Sequence, residues 1–161
     1  MLNRRYLRIK VLQALYAYFS LPANQLKVVE KNMIQSIQRV YDLYLYKISI
    51  LLDVLHAANL NLEKNKAKRL PTEEDLNPNT RFIDNKVLKI LNSNIDLKEQ
   101  LEKKKINWQV NFDDIKKLWR TIKSSDMYEN YMNHPENDFA KDRKFIVQVY
   151  EKFIKDEQEI E

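Results

Sequence analysis

The sequence predicts an all-α protein: a multi-helix bundle with one long helix and no β-sheet. Three observations carry that expectation. There is no glycine in 161 residues, and the tight primed turns of β-hairpins depend heavily on glycine. Met33, Ile37, Val40, Tyr44, Ile48, Leu51, Leu55 and Ala58 follow one another at steps of 4, 3, 4, 4, 3, 4 and 3, which is one face of a 3.6-residue period. Hydrophobic residues make up 44% of the chain and charged residues 32%, a composition with enough apolar material for a core.

Leu7 to Phe19 reads as the first helix. On a wheel of 100° per residue, Ile9, Val11, Leu12, Leu15, Tyr16 and Phe19 take one broad side, expected to be buried, and Lys10, Gln13, Ala14 and Ala17 take the other. Arg4, Arg5 and Arg8 fall in the apolar sector but one to two turns earlier, so they should project past the rim of a core. Leu21-Pro22-Ala23-Asn24 reads as a turn, with Asn24 a candidate N-cap. The long periodic segment follows, from Asn24 to about Asn61, roughly 57 Å at 1.5 Å per residue. A helix of that length should either protrude or break, near Ser49 or Asn59. A second apolar row, Ile34, Tyr41, Leu45 and Leu52, widens its stripe beyond a two-stranded seam.

Residues 63–81 contain Pro71 and Pro78 and read as the end of that helix followed by a polar loop. Phe82 to Leu91 is a short helix, and Asn92-Ser93-Asn94 punctuates. Asp96 to Lys105 is a charged surface helix. Asn111 is a candidate cap for a helix from Phe112 to about Lys123, with Asp113 and Asp114 in its first turn and Ile115, Leu118, Trp119 and Ile122 as its buried side. Asn133-His134-Pro135 breaks the pattern, and Asp138 to the end is helical. The last six residues, Asp156 to Glu161, are mostly acidic, which opposes the dipole at a helix C-terminus. The expectation is one helical domain over 1–161, or the N-terminal part of a longer protein.

Several function classes are disfavoured. The absence of cysteine rules out disulfides, thiolate zinc sites and cysteine nucleophiles. His56 and His134 share no motif and read as packed or loop residues. Glu73-Glu74 and Asp113-Asp114 read as loop and helix-start charges. Asp138 and Asp142 lie four apart with no histidine nearby to complete a metal site. The expectation is therefore no enzyme: no catalytic residue, no metal and no cofactor. No signal peptide is recognisable, and no window approaches about eighteen consecutive apolar residues. No membrane span is expected, and the cytoplasm is the default location.

Net charge is +5 and pI about 9.2, which suits a polyanion partner without demanding one. Lys64, Lys66, Lys68 and Arg69 form one basic cluster and Lys103-Lys104-Lys105 another; both read as solvated lysine runs. The cluster of Arg4, Arg5, Arg8 and Lys10 differs because it is rich in arginine, whose planar donor fork suits phosphates and base edges. Tyr6, Tyr16 and Tyr18 lie close by as stacking faces. Arg4, Arg5, Arg8, Lys10 and Tyr16 are the candidate RNA-binding residues.

Arg4-Arg5-x-x-Arg8 followed by Val11-Leu12-Gln13-Ala14-Leu15-Tyr16 resembles the opening of the bacterial transcription antitermination factor NusB family. Asp142-Arg143-Lys144-Phe145-Ile146 through Glu159-Ile160 resembles a later helix of that family more weakly. The resemblance implies an all-helical protein that binds the boxA element of ribosomal RNA leader transcripts. It would do so with NusE, a ribosomal small-subunit protein, in the transcription elongation complex. It also implies RNA contact by Arg4, Arg5 and Arg8, and by Tyr16. The chain departs from the family pattern at Tyr6, where another arginine is common, and from Ser20 to roughly Phe139, which match nothing in it. The leucine-rich C-terminal helices and the A-I-N-E motif are missing, and with them the associated partner surface. The expectation is an N-terminal portion with a divergent central expansion. The alternative is a helical interaction or oligomerisation module, a homodimer among its forms, motivated by the apolar stripe from Met33 to Ala58.

Overall fold

The structure, a computed structural model, describes residues 3–20, 25–107, 111–134 and 138–155. Among these the chain is all-α, with eight α-helices and no strand. It forms two compact units, 1–44 and 45–161.

Unit 1 holds α1 (Arg4–Ser20) and the start of α2 (Leu26–Lys66). Asn3 starts α1: its side-chain oxygen accepts the Arg5 N–H at 3.0 Å, and its carbonyl accepts the Leu7 N–H at 3.2 Å. The helix therefore begins three residues before the apolar pattern does. The expected turn and the Asn24 cap lie outside the described residues. α1 has no buried residue, which corrects the expected burial of its apolar side. Leu12, Tyr16 and Phe19 are 68%, 77% and 80% exposed. The half-buried positions include Tyr6, Lys10, Ala14 and Ala17, largely the side expected to face water. The reason is geometric. Two helices cover only a narrow strip of each other, and α1 carries apolar residues over more than half its circumference.

Unit 2 contains the rest of α2 and all later elements: α3 (Glu73–Leu76), α4 (Lys86–Ser93), α5 (Ile95–Lys104), α6 (Phe112–Lys123), α7 (Asp126–Met132) and α8 (Phe139–Val149). A five-residue π-helical segment, Tyr150–Ile154, continues α8. α2 is continuous over 41 residues, about 62 Å at 1.5 Å per residue. The breaks considered at Ser49 and Asn59 do not occur. The Ser49 hydroxyl donates to the Tyr46 carbonyl at 2.8 Å and the Asn59 amide to the Leu55 carbonyl at 3.0 Å, so both side chains are satisfied within the helix. By length and composition alone α2 is apolar enough to cross a bilayer. Its residues Ile50, Leu51, Val54, Leu55, Ala57 and Ala58 are instead buried in the core of unit 2.

That core joins α2 to Leu88 of α4, to Ile115, Leu118, Trp119 and Ile122 of α6, and to Phe145, Ile146 and Val149 of α8. The four expected core positions of α6 are all buried. Phe82 stands at the centre of an aromatic cluster, with ring centroids 4.9 Å from Trp119, 5.8 Å from Tyr128 and 6.1 Å from Phe145. Phe82 precedes α4 rather than opening it. The Asn85 side chain accepts the N–H groups of Val87 and Leu88 at 2.9 and 3.2 Å, and this cap fixes the helix start at Lys86.

The connections use polar caps in place of glycine. Thr72 and Asp75 form a reciprocal capping box on α3, and Asn94 caps α5 through the Leu97 N–H. α5 ends at Lys105 in the left-handed region, at φ 55°. Glycine usually takes that position because it has no Cβ to clash. Asn111 makes no side-chain capping bond to α6, contrary to its expected role. α7, which the periodicity did not suggest, is capped by Ser125.

Candidate nucleic-acid interface

The N-terminal half of α1 has an unusual charge distribution for a helix start. The partial positive charge there favours acidic side chains, and each ill-placed charge costs about 0.3–1 kcal/mol. Here the first turn has no acid, and it begins Arg4-Arg5. All three arginines are exposed. Among the described residues their guanidinium groups make no ion pair or hydrogen bond. Their charges and the helix dipole therefore add at one end of α1, an arrangement that attracts anions.

The structure keeps most of the candidate residues together. At 100° per residue, Arg4, Leu15, Arg8, Phe19, Leu12, Arg5 and Tyr16 fall within roughly 120° of the α1 circumference. This face runs about 22 Å from Arg4 to Phe19 at 1.5 Å per residue. Its N-terminal end is cationic, and its C-terminal end presents the exposed rings of Tyr16 and Phe19. Lys10 does not join it. It lies more than about 100° away, half-buried, with its ammonium 5.3 Å from the centre of the Tyr6 ring. That contact is a cation–π pairing within α1. The face thus consists of Arg4, Arg5, Arg8 and Tyr16 from the expected set, plus Leu12, Leu15 and Phe19, which the wheel had assigned to a core.

One member of the basic cluster at residues 64–69 has a local partner. Lys68 pairs with Asp75 at 3.0 Å, and this hydrogen bond, foremost among the causes, holds the Asp75 carboxyl below its usual range. His56 is exposed and packs its ring 5.7 Å from that of Phe112. Among the described residues no group of three or more acidic or histidine side chains could hold a metal ion.

Asp142 has a structural task that sequence reading did not identify. It is 0% exposed. Its Oδ1 accepts from the Tyr131 hydroxyl at 2.8 Å and its Oδ2 from the Lys86 N–H at 2.9 Å. The Asn85 amide donates to the Tyr131 hydroxyl at 3.0 Å and to the Asp142 carbonyl at 3.3 Å. The Arg81 guanidinium lies 4.7 Å from the Tyr131 ring centre. Burial first, and then the bond to Asp142, push the Tyr131 hydroxyl up to about 12. The network caps the start of α4 and ties it to α7 and α8.

Compared against family models, curated proteins and solved structures, the chain finds no match.

Proposed function

We propose that α1 is an RNA-contacting helix and that the protein is a non-catalytic RNA-binding factor. The observation that carries this reading is the set of three exposed, unpaired arginines at the N-terminal end of α1, on the same face as the exposed Tyr16 ring. Arginine forks and the helix N-terminus engage phosphates, and the aromatic side chain offers a surface on which an unpaired base can stack. The resemblance of the same residues to the NusB family gives the RNA an identity, a boxA-like single-stranded leader element. It also gives a setting: transcription antitermination in the cytoplasm, with NusE as the protein partner.

Phosphate contacts release counterions, so each adds about −0.7 to the slope of log affinity against log salt on single-stranded RNA. If all three arginines engage phosphates, their replacement by alanine should flatten the slope by about 2. A titration of boxA-like RNA from about 50 to 200 mM salt tests this. An equal slope and affinity for the triple variant, or no binding by the unsubstituted protein, contradicts the reading.

A second reading has its own observation. Leu12, Leu15 and Phe19 of α1 and Leu26, Val28 and Ile34 of α2 are all exposed in unit 1. Exposed apolar groups at this density mark interaction surfaces. A helical interaction module would use them to meet a protein. Sedimentation with and without RNA separates the two: a dimer indifferent to RNA favours the second.

A further inference from the structure

Unit 2 carries a groove of about 840 Å³, a volume typical of ligand sites. Its floor is aromatic: Phe82 and Trp119 are 3% and 6% exposed, and Tyr128 lies against both, at 5.8 and 5.6 Å between ring centres. The Trp119 indole N–H is buried and meets no acceptor among the described residues. Buried donors are almost always paired, so an exception calls for an explanation.

The walls are rich in carboxamides. Asn61 and Asn65 line the groove from α2, one helical turn apart. Neither side chain has a hydrogen-bond partner among the described residues, and each offers both a donor and an acceptor. Four residues of helix rise about 6.0 Å, and alternate residues of an extended chain repeat every 6.6 Å or so. The two carboxamides therefore keep register with successive outward amides of an extended peptide.

The charge of the groove selects among polymers. The chain as a whole has a net charge of +5, yet the groove is lined by Glu74, Asp75 and Glu129 against Lys123. Glu74 and Glu129 are exposed and make no ion pair among the described residues. Phosphates would be repelled here, and lysine or arginine side chains drawn in.

We propose that this groove binds an extended peptide segment bearing basic side chains. Asn61 and Asn65 bracket its backbone, Trp119 and Tyr128 support it from below, and Glu74 and Glu129 take its cationic side chains. This site lies in unit 2 and does not depend on the RNA reading of α1.

The test uses end-blocked heptapeptides alternating valine with lysine, glutamine or glutamate, titrated into the full chain by fluorescence anisotropy. The lysine peptide should bind about tenfold tighter than the glutamate peptide. Asn61→Ala with Asn65→Ala should weaken the lysine and glutamine peptides alike by about tenfold. Glu129→Gln should weaken only the lysine peptide, and Arg4→Ala should change none of them. These variants alter half-buried or exposed positions, and an unchanged melting curve confirms that each is folded. Equal affinity for the lysine and glutamate peptides, no saturable binding of any peptide, or displacement of the uncharged glutamine peptide by single-stranded RNA overturns the proposal.

Discussion

Asp142→Ala should be among the most damaging single substitutions in this protein. Its carboxylate accepts from the Tyr131 hydroxyl and from the Lys86 N–H, and the residue is 0% exposed. Removing it leaves both donors without their acceptor, the Tyr131 hydroxyl within the buried core and the Lys86 N–H at its part-buried edge. Hydrogen bonds to a charged group contribute about 1.5–3 kcal/mol each, so the expected loss is about 3–5 kcal/mol, a large share of the stability of an ordinary domain. Tyr131→Phe should cost about 1–3 kcal/mol, because one Asp142 oxygen then lacks a partner and the Asn85 NH2 group keeps only its longer bond, to the Asp142 carbonyl. Asp142→Asn keeps one acceptor oxygen and should fall between the two. The assay is urea unfolding followed by far-ultraviolet circular dichroism, with equal m-values required across the set. The double variant closes a thermodynamic cycle, and the coupling between Asp142 and Tyr131 should be at least about 1 kcal/mol. A loss under about 1 kcal/mol for Asp142→Ala would refute the assignment, and so would additivity within about 0.5 kcal/mol.

Two further substitutions probe the fold. Lys105 holds φ 55° at the end of α5, where a side chain with a Cβ is strained by about 1 kcal/mol; Lys105→Gly should raise unfolding stability by about 0.5–1 kcal/mol and Lys105→Val should lower it. Phe19 is 80% exposed and Ile122 is 0% exposed, so Phe19→Ser should shift stability by no more than about 0.5 kcal/mol while Ile122→Ala removes about 2–5 kcal/mol. Similar losses from the two would show that α1 is covered in solution.

The sequence pattern read some parts of this molecule well. In α6 the apolar residues Ile115, Leu118, Trp119 and Ile122 recur at helical spacing and polar residues fill every other position after Phe112, so element and buried face follow from periodicity alone. In α1 the same reasoning found the helix and misjudged its burial. A wheel shows which side chains share a face but not whether another element covers them. The start of α4 was missed because the local cap at Asn85 outweighed the apolar run beginning at Phe82. The network of Asn85, Tyr131 and Asp142 joins positions 46 and 57 residues apart, and no short-range signal marks such pairings. The groove escaped notice for the same reason: Asn61, Glu74, Trp119 and Glu129 are neighbours only after folding. Of the candidate RNA contacts, Lys10 was grouped with the arginines by chain proximity, yet its helical angle places it on another side.

Photo-crosslinking of a boxA-like RNA to the full chain, with the adducts mapped by mass spectrometry, tests the central claim most directly. Adducts are expected within α1, at Tyr16 and Phe19 foremost, and should disappear when Arg4, Arg5 and Arg8 are replaced by alanine. Adducts confined to residues 45–155, or an α1 adduct yield that ignores the three arginines, would contradict it.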